Sequence, residues 1–296
     1  MNSVMSFPDR GAWGDSKWRG NMSGHVVKEV IEHFKPKLFV DACEGSKTSM
    51  DVCNQLNVPY VGLDLYNGQD FTRDSILKEL PREADVCFTH PPYHDMIVYS
   101  SKVYGDKEIE GDTSLCVSPE EFLAKSQVML FNQREATRDG GYFMSLIGDQ
   151  RGGSLGKGSF RSYQADFINM MPKAELLSVT IKLQHNCLSD KRTYSGSFVP
   201  IMHEYLLIWK KSRKSMIQVA LDIATLQQKA VATTWRSVLR IAMMNLDGYA
   251  ALKSIYAEVE KVGPHLMTNT NNHQAKIRQV LQRHYVNVER GVWAIA

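Results

Sequence analysis

The feature that most constrains this chain is a set of short apolar segments alternating with helix-forming stretches. Leu38-Phe39-Val40, Tyr60-Val61-Gly62-Leu63, Ala84–Thr89 and Tyr142–Ile147 read as strands. Near-continuous apolar strands suit burial on both faces of a sheet. Between them, Val26, Val27, Val30, Ile31 and Phe34 recur at i, i+1, i+4, i+5 and i+8, a helical stripe that Pro36 ends. Met50–Leu56 reads as a second helix. A third, over residues 119–138, starts at Ser118-Pro119-Glu120-Glu121 and stops at Gly140-Gly141. It has an N-cap serine, proline at the first position and acids in the first turn. Strands alternating with amphipathic helices indicate an α/β fold, a doubly wound parallel sheet with helices on both faces.

Beyond Arg151 the texture changes. Gly152, Gly153, Gly156 and Gly158 lie among Ser, Lys and Arg, which reads as a mobile basic loop. Glu175–Lys182 and Ile201–Trp209 read as two further strands around the loop His185–Ser197. The basic run Lys210–Lys214 then opens a linker, giving a body over residues 1–211, a linker over 212–229 and a small domain over 230–296. Helices are expected in that domain near Thr234–Met244, Tyr249–Val262 and Asn272–His284, followed by a hairpin over Tyr285–Ile295.

Charge separates these parts. The 296 residues carry a formal net charge of +3. Residues 1–210 hold 23 Lys+Arg against 27 Asp+Glu, whereas residues 211–296 hold 12 against 5. The basic end either faces a polyanion or is a solvated helical surface. No apolar run approaches the roughly 20 residues of a membrane span, and the start MNSVMSFPDRGAW lacks a signal peptide's apolar core. A cytoplasmic protein with no membrane partner is expected. The five cysteines (43, 53, 87, 116 and 187) are odd in number and form no CxxC pair, so reduced thiols are expected and no metal site.

Two constellations carry chemistry. In Phe39-Val40-Asp41-Ala42-Cys43-Glu44-Gly45-Ser46-Lys47-Thr48, a strand ends in an acid and a turn of small residues leads into a helix. Such a turn lies at the carboxyl edge of the sheet, where α/β folds bind ligands. About 20 residues on, Asp64 closes a second strand, where an acid can accept hydrogen bonds from both ribose hydroxyls of an adenosine. The plainer reading is that Asp41 and Asp64 cap turns. The second constellation is His90-Pro91-Pro92-Tyr93, directly after the Ala84–Thr89 strand. Its prolines make a rigid loop with uncontested carbonyls, and Tyr93 offers a face on which a flat ring could stack. A base with an exocyclic amine would suit such a loop.

Together these segments resemble the S-adenosylmethionine-dependent amino-methyltransferases that act on adenine N6 or cytosine N4 in DNA. The family's cofactor loop, approximately Asp-Pro-Phe-x-Gly-Ser-Gly, is matched by Asp41–Lys47. Its catalytic loop, Asp, Asn or Ser before Pro-Pro-Tyr, is matched by His90–Tyr93. Trp18–Gly24 is similar to the segment that contacts the methionine end of the cofactor. Gly140–Leu146 and His203–Lys211 are similar to the family's fifth and last strands. The likeness spans roughly residues 13–211, in the gamma-type motif order. It implies a Rossmann-like methyltransferase sheet and S-adenosyl-L-methionine held by Asn21, Ser23, Asp41, Cys43, Glu44, Gly45, Ser46, Lys47, Thr48, Asp64, Leu65 and Asp70. The implied catalytic residues are His90, Pro91, Pro92 and Tyr93.

Two positions depart from the family. Lys47 stands where the loop's last glycine is expected, and either pairs with the cofactor carboxylate or weakens binding. His90 stands where Asp, Asn or Ser is expected, and a neutral imidazole nitrogen can accept a hydrogen bond from the target amine. The implied reaction is direct methyl transfer, with no covalent intermediate. Adenine N6 is the favoured target, with cytosine N4, RNA or a protein amide as alternatives. A non-catalytic DNA-binding protein on a degenerate methyltransferase scaffold is the alternative from another class. A cytosine-C5 mechanism would need a Pro-Cys nucleophile, which is absent, so Cys43 and Cys87 read as core thiols.

The resemblance implies double-stranded DNA as partner, with a flipped base, and brings in a cognate restriction nuclease as a further candidate partner. The oligomeric state stays open. Target-recognition loops are expected at about residues 150–200, with Lys157 and Arg161 toward phosphates, Arg151, Lys191 and Arg192 as further DNA-binding candidates, and Gln184 and Asn186 of the type that reads adenine edges; a solvated surface loop is the alternative for each. Asp149-Gln150-Arg151 is expected to border the target pocket. Residues 230–296 resemble the small winged-helix domains of restriction and modification proteins. This places Lys276, Arg278 and Arg283 on or beside a recognition helix, with a packing module as the alternative.

Overall fold

The computed structural model describes residues 1–105, 109–152, 155, 159–185, 199–231, 235–267 and 272–295. They divide into two compact units, Met1–Val219 and Ala220–Ala296.

The first unit is built on strands β1 (Val4–Ser6), β2 (Phe39–Asp41), β3 (Tyr60–Gly62), β4 (Ala84–Thr89), β5 (Thr137–Ile147), β8 (Leu176–Leu183) and β9 (His203–Lys210). They form one seven-stranded sheet in the order β1-β8-β9-β5-β4-β2-β3. From β3 to β5 neighbours run parallel; β9 is antiparallel to both β5 and β8. A separate two-stranded ladder pairs β6 (Gln150–Arg151) with β7 (Phe160–Arg161).

The alternation in the sequence becomes two packed layers. Phe39, Val86, Phe88, Met144 and Leu206 point to one face, where helix α1 (Gly24–Phe34) covers them with Val26, Val27, Val30 and Ile31. Each fully buried valine there contributes about 1.5–3 kcal/mol of transfer free energy. Val40, Cys87, Phe143 and Trp209 point to the other face, under Phe122, Met129 and Leu130 of α3 (Pro119–Ala136) and Phe167 of α4 (Tyr163–Met170). The Phe143 and Trp209 rings stack across β5 and β9 with centroids 5.3 Å apart. On the first face, α2 (Thr48–Gln55) adds Val52 and Cys53.

The chain leaves β2 for β3 on one side and crosses to β4 on the other. The carboxyl end of β2 is therefore a topological switch point, the place where open α/β sheets leave a crevice. Asp41 ends β2, and His90 follows β4 immediately.

The stretch read as a linker, residues 212–229, is mostly helix: α5 spans Met216–Val231. Its approach is also pinned. Buried Arg134 pairs with Glu175 at 2.7 Å and donates to the carbonyls of Ser212 and Lys214 at 3.1 and 3.0 Å. Lys211 is buried too, with its Nζ 2.7 Å from the Thr137 carbonyl. The basic run read as a linker because its structural partners lie more than 70 residues upstream.

The second unit holds α6 (Trp235–Asn245), β10 (Tyr249–Ala251), α7 (Leu252–Val262), the short α8 (Pro264–Met267), α9 (His273–His284), β11 (Val286–Glu289) and β12 (Val292–Ala294). Its three strands form an antiparallel sheet in the order β10-β12-β11. Val238, Leu239, Met243, Ile255, Val259, Ile277 and Leu281 make its own core. The expected helix at Tyr249 begins instead as strand β10, because Tyr249–Ala251 pairs with β12 before the chain turns into α7.

Candidate active site

A cleft opens at the switch point. Asp41, Cys43, Glu44, Gly45, Ser46 and Thr48 from the loop after β2 line it, with Asp64, Leu65 and Asp70 after β3 and His90, Pro91 and Pro92 after β4. Asn21 reaches it from the segment before α1. Residues predicted from four separate stretches thus share one cavity.

Three predicted residues do not line it. Ser23 is buried at the N-terminus of α1, where its hydroxyl donates to the carbonyls of Asp9 and Arg10. Lys47 is exposed, with φ of 64° at the N-cap of α2. That is the left-handed region a glycine adopts without strain, so the lysine fills a glycine's backbone role while its side chain lies outside the cavity lining. Tyr93 is buried behind the His90-Pro91-Pro92 turn and presents no ring face to the cleft.

The two strand-end acids are built into the loop. Asp41 accepts the Cys43 N–H at 3.0 Å and the Ser49 hydroxyl. Burial pushes its carboxyl up to about 7, opposed by those two hydrogen bonds and assisted by Glu44 and Asp64. Asp64 accepts the N–H of Gly45 at 2.9 Å on one oxygen and that of Tyr66 at 2.8 Å on the other. Burial raises its carboxyl as well. Gly45 has φ of 49°, and Nε1 of Trp18 would lie 3.1 Å from any Cβ placed there. The missing side chain at Gly45 thus makes room for the Trp18 indole against this loop. Glu44 accepts the Tyr60 hydroxyl at 3.1 Å.

Residues 97–105 and 109–113 supply a wall that the sequence alone did not reveal. Tyr99, Tyr104, Gly111, Asp112 and Thr113 line the cleft, with Trp18, Gln69 and Phe71 from elsewhere. Trp18, Tyr66, Tyr99 and Tyr104 form an aromatic cluster with centroid separations of 5.4 to 6.2 Å. Asp112 is buried and accepts the Ser100 and Ser114 N–H groups, each at 2.8 Å. The Asp112-Thr113-Ser114 turn is the one local signal that could have revealed this wall. The cleft therefore carries the carboxylates of Asp41, Glu44, Asp64, Asp70 and Asp112, and no lysine or arginine among the described residues.

His90 sits at the edge of this acidic cleft as a neutral imidazole. Burial pushes its pKa down to about 4. Its Nε2 is 2.8 Å from the Tyr93 hydroxyl. Burial likewise raises the Cys43 and Cys87 thiols, so neither is a thiolate at neutral pH. Further along the same loop, His94 is buried with Nε2 2.8 Å from the Cys116 carbonyl and Nδ1 3.2 Å from the Tyr163 hydroxyl. The same tyrosine donates to Gln150 Oε1 at 2.8 Å, and Gln150 holds Asp95. Gln150, expected at the rim of a target pocket, thus braces the loop after β4 from below.

Of the residues predicted to meet DNA, Lys157, Asn186, Lys191 and Arg192 lie outside the described residues. Arg151 stacks over the Phe160 ring at 5.2 Å. Arg161 is ion-paired with Asp166 at 2.8 Å and Glu120 at 3.5 Å, so its charge is largely balanced within the fold. Gln184 gives its amide to Glu204 at 2.7 Å rather than presenting it to solvent. In the second unit, Lys276, Arg278 and Arg283 are exposed on α9, which buries Ile277, Val280 and Leu281.

No known protein family and no curated protein matches the chain. Solved structures are similar in outline. An S-adenosylmethionine-dependent methyltransferase from Archaeoglobus fulgidus is 12% identical, over 66% of this chain and 96% of that one, with a TM-score of 0.39. TTHA0409 from Thermus thermophilus, a proposed DNA modification methylase crystallised with S-adenosyl-L-methionine, is 14% identical over 58% and 72%, with a TM-score of 0.33. TrmN from Thermus thermophilus is 9% identical over 66% and 51%, with a TM-score of 0.36. At such identities the functional reading rests on this chain's own residues. No helix among the described residues is long and apolar enough to cross a membrane.

Proposed function

We propose that this protein is an S-adenosylmethionine-dependent DNA methyltransferase that modifies the exocyclic amine of a flipped base, adenine N6 in the first instance. The observation that carries the reading is the make-up of the cleft. It sets five carboxylates and an aromatic cluster around a glycine loop at the switch point, beside a neutral histidine. Phosphorylated cofactors call for cationic side chains to meet their charge, and no lysine or arginine among the described residues lines this cleft. A cationic nucleoside suits an acidic, aromatic cleft instead.

The residues fit the group. In this reading Asp64 and Asp70 would meet ribose hydroxyls, Leu65 and Phe71 an adenine ring, and Asn21, Glu44 and Trp18 the amino-acid end, all of them residues that line the cleft. When bound, S-adenosylmethionine supplies the methyl group from its sulfonium. His90 and the Pro91 carbonyl then hold the target amine by accepting its hydrogens; no hydrogen bond among the described residues occupies the Pro91 carbonyl. Because burial keeps His90 uncharged, it can act as an acceptor at neutral pH. The amine proton released after transfer leaves to solvent, and the site contributes positioning and local electrostatics.

The second unit supports DNA as the substrate-bearing polymer. Its element order, helix–strand–helices–strand–strand, fits a winged helix, and α9 carries three exposed cations, Lys276, Arg278 and Arg283. A cognate restriction nuclease would be the natural partner of such an enzyme. Digestion of treated DNA to nucleosides tests the proposal: N6-methyladenine supports it, N4-methylcytosine moves the base, and product on RNA or protein alone refutes the DNA assignment.

A further inference from the structure

His94 follows the His90-Pro91-Pro92-Tyr93 turn with φ of 52°, the left-handed region that a residue bearing a side chain seldom occupies. Such a backbone persists where the surrounding structure over-determines it. The His94 side chain is fully buried, its ring against Phe122 of α3 with centroids 5.6 Å apart.

Two separate elements hold that ring. A carbonyl only accepts, so His94 Nε2 donates to the Cys116 carbonyl at 2.8 Å. Cys116 ends the turn that begins at Asp112 and Thr113, two residues that line the cleft. On the other nitrogen, Nδ1 lies 3.2 Å from the hydroxyl of Tyr163, the first residue of α4. The Tyr163 ring also packs on Phe122, edge to face at 5.0 Å.

Gln150 closes the network. Asp95 only accepts, so the Gln150 amide nitrogen donates to its carboxylate. The Gln150 carbonyl oxygen is thereby left for the Tyr163 hydroxyl, which donates at 2.8 Å. The path from His94 through Tyr163 and Gln150 returns to Asp95, the next residue of the same loop. His94, Gln150 and Tyr163 are all buried, where satisfied polar networks fix one geometry. Gln150 also opens β6, whose ladder with β7 carries the Arg151 guanidinium over the half-exposed Phe160 ring.

We propose that His94, Tyr163 and Gln150 are positioning residues: their hydrogen bonds hold the His90-Pro91 turn at a fixed offset from the cleft wall at residues 112–116 and tie it to the β6–β7 ladder. Group transfer is sensitive to displacements of about 1 Å, and these three side chains set the offset between the acceptor turn and the cofactor wall. That the offset serves methyl transfer rests on the function proposed above; the clamp on the loop does not.

Two substitutions test it in the full chain. Tyr163→Phe removes the shared hydroxyl and keeps the ring on Phe122; Gln150→Met removes the amide and keeps its bulk. Each should lower single-turnover methylation of unmethylated DNA about tenfold while calorimetric affinity for S-adenosylmethionine stays unchanged. Because both cut one network, the double variant should fall no further than the weaker single variant. In hydrogen–deuterium exchange, peptides covering residues 90–102 and 112–118 should take up deuterium at least tenfold faster in either variant, with α1 peptides unaltered. Losses that multiply to about a hundredfold, unchanged uptake around the loop, or uptake that rises equally in α1 overturn the proposal. Exchange needs neither cofactor nor DNA, so faster loop uptake in a chain without methyl transfer would sink the activity and leave the clamp standing.

Discussion

The Asp64 carboxylate accepts the Gly45 N–H at 2.9 Å, tying the end of β3 to the loop after β2. One acid thereby shapes the glycine turn and lines the cleft. In Asp64→Asn, one oxygen becomes a donor that faces a backbone N–H. Calorimetric affinity for S-adenosylmethionine should fall at least tenfold, about 1.4 kcal/mol, with the thermal midpoint within a few degrees of the parent. Undiminished affinity would remove Asp64 from the cofactor site.

His90→Ala should lower turnover by roughly a hundredfold, the scale of a lost positioned acceptor, while cofactor affinity stays unchanged. Single-turnover kinetics with saturating cofactor separates the two. A competent variant would take His90 out of the chemistry.

The same histidine gives stability a pH dependence. Its folded pKa is about 4 against an ordinary 6.5. The unfolded chain thus takes up the proton first as pH falls. The stability it contributes is complete above pH 6.5 and is lost between 6.5 and 4. Urea unfolding should show the parent losing on the order of 2–3 kcal/mol more than His90→Gln across that window. Parallel losses would mean that the imidazole is not held neutral by burial.

Gly148→Ala should push the Tyr93 ring off the end of β5, since a Cβ there would lie 2.7 Å from Tyr93 Cε2, while leaving β5 paired. Reduced turnover with intact cofactor binding is expected, measured beside a circular dichroism spectrum unchanged from the parent. Full activity would show that the ring need not cross the strand end.

The triple substitution of Lys276, Arg278 and Arg283 by alanine should weaken DNA binding alike on all sequences. The slope of log affinity against log salt should flatten by roughly 0.9 for each phosphate that is no longer neutralised. An unchanged slope would leave α9 as a packing helix.

How much of this was legible in the sequence differs by region. Strands such as Phe39–Asp41 and Ala84–Thr89 declare themselves because both faces are buried, and the acid or Pro-Pro step at each end marks the sheet edge. The 97–113 wall has no periodicity, so Tyr99, Tyr104 and Asp112 could be placed only by the fold. Gln184 looked like a reader of bases because its partner, Glu204, is 20 residues away and across a strand pair. Arg161 misled for the same reason, its charge being answered by Asp166 and Glu120. Tyr93 was placed in the right loop with its side chain on the wrong side. What decides its direction is Gly148, a gap that only the packed structure displays.

The most direct test of the central claim is nucleoside mass spectrometry after incubating the purified chain with S-adenosylmethionine and unmethylated DNA. N6-methyladenine in the wild type and its loss in His90→Ala is the result the cleft predicts. No methylated nucleoside on DNA, from a chain that binds S-adenosylmethionine, would contradict it.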